Sequence, residues 1–217
     1  MLEIYAVNIQ KLTPEDIFAA HIEMVSLEKA EKIRKFHFKQ DGVRSLLGEV
    51  IIRKWYCEKM NIPNQQISIR KNIYGKPYIE GSPFYYNVSH SGNWVICGIG
   101  DQEIGVDVEE IKPIDFSVAE QCFTSNELDI LNHKGGREKL NFFYSVWTLK
   151  EAYIKYLGTG LNTSPKSFNF QFTKNNVQLV DFDAKIIPSF QQCFLDDSHI
   201  CSVCFPQQSF SIELIKI

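Results

Sequence analysis

The sequence has a small net charge, no long apolar run and few cysteines, and so lacks the features that mark nucleic-acid-binding, membrane and disulfide-rich proteins. The formal net charge is −3, which does not indicate a protein that binds nucleic acid over its whole surface. No apolar run approaches the roughly 20 residues that a membrane-spanning helix needs. The N-terminal segment MLEIYAVNIQ also lacks the basic region and apolar core of a secretory signal. We therefore expect a cytoplasmic protein with neither a nucleic-acid nor a membrane partner.

The six cysteines are too few to form a disulfide framework in a chain of 217 residues. Cys201 and Cys204 form one C-x-x-C in an apparent strand, where residues three apart point to opposite faces. No second pair lies at the spacing of a zinc site. We interpret both residues as ordinary buried thiols.

The remaining composition is that of a folded globular protein, with 44% hydrophobic and 23% charged residues and no linker or strict repeat. Hydrophobic periodicity and Gly/Asn turn signals predict an α+β fold. The predicted helices are 14–38 in two pieces, 41–61, 115–123, 125–134 and 140–158. The predicted strands are 2–9, 66–70, 76–80, 84–89, 94–100, 103–111, 168–172, 177–183, 187–195, 199–205 and 210–217.

This element order suggests two similarly built halves, residues 1–102 and 103–217. Each half has one long helix and several strands, which we expect to form a small, mostly antiparallel sheet packed on the helix. A cleft between two such halves is a common place for a ligand.

The segment IGVDVEEI, residues 104–111, places Asp107 and Glu109 on one face of a strand, about 6–7 Å apart at ~3.3 Å per residue. Two neighbouring carboxylates repel, and their burial is costly unless a cation lies between them. Carboxylate oxygens without nearby Cys or His favour Mg²⁺ or Mn²⁺ over zinc. The alternative is a strand with one solvated face.

The helix that contains FYSVWTLKEAYIKYLG, residues 143–158, carries charges inside an aromatic sequence. Trp147, Glu151 and Lys155 are spaced i, i+4, i+8 and therefore share a face. One interpretation is a surface Glu–Lys pair, worth about 0.3–0.5 kcal/mol. The other makes Glu151 a third metal carboxylate and Lys155 a contact for a phosphate or pyrophosphate.

Other polar groups have both structural and binding interpretations. The turn NVSHSG, residues 87–92, could hold a phosphate with Ser89 and His90. The turn that contains YGKP, residues 74–77, offers flat apolar surfaces to a base, or is simply a turn with an exposed lysine. Glu127 is explained by a helix cap at Thr124 or Ser125.

Together these segments resemble the 4′-phosphopantetheinyl transferase superfamily, of the surfactin-synthetase-activating (Sfp) type. The resemblance rests on IGVDVE (104–109), FTSNE (123–127) and WTLKEAYIK (147–155), with YGKP and NVSHSG in the expected order. It implies a monomer with pseudo-two-fold α+β halves, and coenzyme A and Mg²⁺ in the cleft between them. It also implies transfer of the phosphopantetheine arm to a serine of an apo acyl or peptidyl carrier protein.

The resemblance further implies roles for individual residues. The metal ligands would be Asp107, Glu109 and Glu151. Coenzyme A would contact Lys29, Lys32, Arg44, Ser45, Tyr74, Gly75, Lys76, Pro77, Ser89, His90, Asp107, Lys150, Glu151 and Lys155. The catalytic residues would be Glu151 as base, directly or through a metal-bound water, Lys155 at the leaving phosphate, and Glu127 as the second choice of base. A metal-dependent phosphohydrolase that acts on similar pyrophosphates remains the alternative.

Overall fold

The computed structural model describes residues 1–173, 177–180, 187–206 and the backbone of 213–216. Its helices are α1 (Pro14–His21), α2 (Leu27–Arg34), α3 (Lys39–Met60), α4 (Ser117–Cys122), α5 (Ser125–Asn132) and α6 (Gly136–Leu157). Its strands are β1 (Leu2–Asn8), β2 (Ile69–Lys71), β3 (Pro77–Ile79), β4 (Tyr85–Ser91), β5 (Trp94–Gly100), β6 (Gly105–Glu110), β7 (Asn169–Phe172), β8 (Val177–Val180), β9 (Ser189–Asp196), β10 (His199–Phe205) and β11 (Glu213–Lys216).

The predicted α+β class and the two similar halves are confirmed. In the N-terminal half, α3 packs on a sheet in which β5 lies between β1 and β4, all antiparallel. In the C-terminal half, α6 packs on the antiparallel sheet β6-β10-β9. Two short hairpins, β2-β3 and β7-β8, complete the described sheets.

The two halves share one apolar layer between their sheets. Ile4, Trp94 and Ile96 from the first sheet meet Val106 and Val108 of β6 there. The opposite face of β5 packs against α3, so this strand is buried on both faces. Because Val106 and Val108 point into the shared layer, Asp107 points the other way, toward α6.

Several predicted boundaries change. Residues 14–38 form two helices, as predicted, but the first ends at His21 and the second at Arg34. Ser26 caps the start of the second helix by accepting from the amide of Lys29. Helix α6 begins at Gly136, before the predicted residue 140. Residues 66–68 are not strand: a short 3-10 turn covers 64–66 and β2 begins at Ile69.

The C-terminal strands also differ from the prediction. Residues 181–183 of the predicted strand 177–183, and 210–212 and 217 of the predicted strand 210–217, lie outside the described residues. Strand β11 runs parallel to β1 and so joins the sheet of the N-terminal half. Cys201 and Cys204 are both buried and reach different apolar clusters on opposite faces of β10, which confirms the prediction for this pair.

Candidate active site

Three elements, β4, β6 and α6, bring five of the predicted site residues together: Ser89, Asp107, Glu109, Glu151 and Lys155. The close approach of α6 to β6 depends on Gly105, since a Cβ at this position would overlap the carbonyl oxygen of Ala152 and the amide nitrogen of Tyr156. Helix α6 therefore lies directly over the face of β6 that carries Asp107. The predicted proximity of the helix and the acidic strand is thus observed.

Side chains of β4 accept hydrogen bonds from backbone amides of β6, and these two fully described strands do not pair through their backbones. Asn87 accepts from the amide of Val106 (2.9 Å), Ser89 from that of Val108 (3.3 Å) and Ser91 from that of Glu110 (3.1 Å). Because side chains alternate along a strand, these three residues share one face of β4. The alternation of polar residues in NVSHS thus connects the two halves. His90, on the other face, is exposed.

Lys155 forms the centre of the polar cluster between the halves. Its ammonium donates to Asp107 Oδ1 (2.6 Å) and to Ser89 Oγ (2.9 Å). The Ser89 hydroxyl in turn donates to Asp107 Oδ1 (2.9 Å). Asp107 is buried, and its second oxygen, Oδ2, is buried without a hydrogen-bond partner among the described residues.

Two further carboxylates border this cluster. Burial and then the charge of Asp107 raise the pKa of Glu109, against donation from the Ser91 hydroxyl and the indole of Trp147 and the attraction of Lys155. Burial and then Asp107 also raise the pKa of Glu151, while Lys155 lowers it. The cluster therefore holds more negative charge than Lys155 neutralises, and an additional cation would relieve the repulsion.

A divalent cation fits the chemistry of these groups, but the three carboxylates do not converge on one point among the described residues. The oxygens of three carboxylates, among them the buried and unpartnered Asp107 Oδ2, are a donor set that Mg²⁺ or Mn²⁺ prefers. In the part of the chain that the structure describes, no three His, Cys, Asp or Glu side chains converge closely enough to hold a metal. Asp107 Oδ1 is instead paired with Lys155.

Lys150 and Glu127 do not join the site. The Lys150 ammonium donates to Glu127 Oε2 (2.9 Å) and to the carbonyls of Pro165 (2.7 Å) and Phe168 (3.0 Å). The Glu127 side chain is fully buried and also accepts from the amides of Thr124 and Phe170. This closed ion pair argues against the predicted phosphate contact of Lys150 and against Glu127 as a base, because both side chains are buried and bound by protein partners.

Four residues predicted to contact the nucleotide lie on α2 and α3: Lys29, Lys32, Arg44 and Ser45. Lys29 donates to Ser45 Oγ (2.9 Å), and its pKa is lowered by burial and by Lys71, against the charge of Glu49. Arg44 donates to the carbonyl of Gly92 (2.6 Å), in the β4–β5 turn that follows Ser89 and His90. Arg44 and Ser45 lie in the second turn of α3, and Lys29 of α2 reaches Ser45 there; a phosphate contact of these residues stays a prediction.

Lys32 and the 74–77 turn both make contacts within the protein. Lys32 pairs with Glu28 (2.6 Å) on the exposed side of α2. In the turn, Tyr74 is exposed and Gly75 has φ +92°, a left-handed conformation that favours glycine. The Lys76 ammonium points to the C-terminus of α6 rather than to open solvent. The flanking of an adenine by Tyr74, Gly75 and Pro77 stays a prediction.

Three residues of the cluster were not among the predicted site residues: Asn87, Ser91 and Trp147 as a hydrogen-bond donor. The polar alternation of NVSHS is the signal that identifies Asn87 and Ser91. It becomes meaningful only when β4 and β6 are known to lie side by side.

Comparison with known proteins assigns the chain to a family. The model of the "4′-phosphopantetheinyl transferase, N-terminal" family matches residues 13–99, and that of the "4′-phosphopantetheinyl transferase superfamily" matches 103–204. The 4′-phosphopantetheinyl transferase gsp of Aneurinibacillus migulanus is 35% identical over 206 residues, which cover 94% of this chain and 86% of the relative. The chain belongs to the 4′-phosphopantetheinyl transferase superfamily.

Two further relatives are similar over the whole chain, and one solved structure is similar over about half of it. The transferase ffp of Bacillus subtilis is 32% identical, over 100% of this chain and 97% of the relative. Sfp of Bacillus subtilis strain 168 is 29% identical over the same shares. A solved holo-(acyl-carrier-protein) synthase from Bacillus anthracis, in complex with CoA (3′,5′-ADP), is 20% identical with a TM-score of 0.44, over 49% of this chain and 96% of that one.

Proposed function

We propose that this protein transfers the 4′-phosphopantetheine arm of coenzyme A to a serine hydroxyl of an apo acyl or peptidyl carrier protein. The products are the holo-carrier and adenosine 3′,5′-bisphosphate. The observation that carries the proposal is the cluster of Asp107, Glu109, Glu151 and Lys155 between the two halves of a superfamily member.

The proposed reaction forms one P–O bond and breaks another. The serine oxygen attacks the β-phosphorus of coenzyme A, and the bond from that phosphorus to the bridging oxygen breaks. Glu151 accepts the serine proton, directly or through a bound water, because a serine hydroxyl is a weak nucleophile until its proton is removed. Lys155 faces the leaving phosphate and stabilises the charge that develops there.

Asp107, Glu109 and Glu151 would hold Mg²⁺, or Mn²⁺, which supplies charge neutralisation at the pyrophosphate when bound. Binding would require these side chains to move closer together, with Lys155 released from Asp107 toward a phosphate. The pKa of Glu109 and Glu151 is raised without the ion, so the binding of a cation would relieve an existing repulsion.

The identity of the carrier, a monomeric state and a cytoplasmic location stay predictions. Among the described residues, no helix is both long enough and apolar enough to cross a membrane. Carrier domains of peptide, polyketide and fatty acid synthases are all candidate partners.

Incubation with coenzyme A, Mg²⁺ and a panel of apo carriers tests the proposal by intact-mass spectrometry. We expect one carrier of the panel to gain the mass of one phosphopantetheine, and its Ser→Ala variant to gain none. Release of free phosphopantetheine with every carrier unmodified would contradict the proposal and favour the phosphohydrolase.

A further inference from the structure

The turn between β2 and β3 is attached to the C-terminus of α6, across the two halves. The Lys76 ammonium donates to the carbonyls of Tyr156 (3.2 Å) and Ile104 (3.3 Å), and it pairs with the Glu103 carboxylate. Tyr156 lies in the last turn of α6, and Ile104 directly precedes β6. One ammonium therefore joins the two elements that carry Asp107, Glu151 and Lys155.

Asn72 makes the second contact of this turn with α6. Its Nδ2 donates to the carbonyl of Gly158 (3.1 Å), the residue that ends α6 in a left-handed conformation with φ +68°. Its Oδ1 accepts from the amides of Tyr74 and Lys76 (2.9 Å each) and so fixes the turn itself. The same side chain thus shapes the turn and binds it to the helix.

The fit between the turn and the helix end is close. A Cβ at Gly158 would lie 2.8 Å from Lys76 Cδ and 3.6 Å from Asn72 Nδ2. A cation at a helix C-terminus is stabilised by the unpaired carbonyls and by the helix dipole. Only 13% of the Lys76 side chain is exposed, so its charge is largely used by these protein partners.

We propose that Lys76 and Asn72 are positioning residues that fix the end of α6 against the start of β6 and thereby set how Lys155 and Glu151 face Asp107. The inference rests on the proposed function, because the reaction it affects is phosphopantetheine transfer. It gives the Lys76 ammonium a role within the protein, while the contact of Lys76 with the adenine of coenzyme A stays a prediction. Lys155 lies one residue before Tyr156, so a displaced helix end moves Lys155 directly.

Lys76→Met tests the role of the ammonium while keeping most of the side-chain volume. We expect kcat to fall at least about tenfold, since a misplacement of 1 Å can cost about a hundredfold in rate. The KM for coenzyme A, and its dissociation constant measured by calorimetry without carrier, should stay within about threefold of wild type. Lys76→Arg should restore most of kcat, because it keeps a cation at the same carbonyls.

Two further variants make the test independent of folding defects. Asn72→Asp keeps the acceptor oxygen that shapes the turn but loses the donor to Gly158, so kcat should fall in the same way. Glu80→Gln is the matched control, because it removes an exposed ion pair with Arg70 (2.7 Å) on the same hairpin without touching α6. It should leave kcat unchanged.

Amide hydrogen exchange separates this inference from the proposed function. Exchange at residues 154–158 should rise in Lys76→Met and not in Glu80→Gln, whether or not the wild-type protein modifies a carrier. Unchanged exchange there, or a wild-type kcat in both Lys76→Met and Asn72→Asp, would overturn the inference. A KM for coenzyme A raised tenfold at unchanged kcat would also overturn it, in favour of direct contact. An inactive wild-type protein would overturn only the proposed function.

Discussion

Two lysines of α6, five positions apart, have opposite environments. Lys150 is buried, with an ammonium bound by Glu127 and two carbonyls. Lys155 is partly exposed and reaches Asp107 in the cluster between the halves. Both stand in the segment WTLKEAYIK, so the difference comes from what packs on each side of the helix. At the residue scale, helical spacing correctly predicts which side chains share a face, but not what covers that face.

The Lys150–Glu127 pair predicts a large effect on stability. Burial lowers the pKa of Lys150, and Glu127 opposes this shift. Lys150→Met leaves the fully buried Glu127 charge without its cation, which should lower the free energy of unfolding by about 3–5 kcal/mol. Urea denaturation followed by circular dichroism measures this loss.

Two companion variants check the cause of that loss. Adding Glu127→Gln to Lys150→Met should recover about 1–3 kcal/mol, because the buried charge is then gone. Lys134→Met, which breaks a more exposed pair between a residue just before α6 and Glu138 in the first turn of α6, should cost only about 0.5 kcal/mol. Equal losses for Lys134→Met and Lys150→Met would contradict the account of the buried pair.

At the element scale, the site depends on how closely α6 lies over β6. The sequence predicts both elements and their polar faces, because periods of 3.6 and 2 are visible in it. It does not show that Asn87, Ser89 and Ser91 replace a backbone ladder between β4 and β6, since that requires the pairing of distant strands. Ser89 is therefore buried between strands, although the sequence suggests only a phosphate-binding turn.

Gly105→Ala tests the contact between α6 and β6. The added methyl group would overlap the backbone of Ala152 and Tyr156, which cannot move without displacing the helix. We expect unfolding free energy to fall by about 3 kcal/mol or more, the upper range for overpacking. Gly135→Ala is the control, because nothing lies within 4 Å of the added methyl group. Similar stability of the two variants in urea would show that the contact is looser than described.

At the scale of the whole molecule, the two halves are joined by the shared apolar layer and by polar contacts at its edges. One of these contacts is the Trp94 indole of β5, which donates to Asp196 Oδ2 of β9 (2.7 Å). Another is β11, which returns to pair with β1. The return of β11 was not predictable, because nothing in its sequence indicates which sheet edge it joins.

The contact between Trp94 and Asp196 should make part of the free energy of unfolding depend on pH. Burial alone raises the pKa of Asp196, but donation from Trp94, His199 and Ser198 outweighs it, and the pKa lies well below the usual 3.8. The stabilisation is therefore fully present above the unfolded value near 3.8 and is lost as pH falls below it. Asp196→Asn should lower unfolding free energy by more at pH 7 and pH 5 than at pH 3.

Urea denaturation at the three pH values measures this difference. Asp197→Asn, at the exposed neighbouring position, should change the stability little at any of them. A loss in Asp196→Asn that stays constant from pH 7 to pH 3 would show that the carboxylate charge is not what joins Trp94 to β9.

The central claim is that the cluster of Asp107, Glu151 and Lys155 catalyses the transfer of phosphopantetheine from coenzyme A to a carrier serine. The most direct test is the initial rate of carrier mass gain for wild type, Asp107→Asn, Glu151→Gln and the control Glu138→Gln, which lies exposed at the start of α6. Wild type and Glu138→Gln should modify the carrier at equal rates. The two cluster variants should be slower by at least about a hundredfold, with their thermal unfolding still cooperative. Transfer by Asp107→Asn or Glu151→Gln at the wild-type rate would contradict the account.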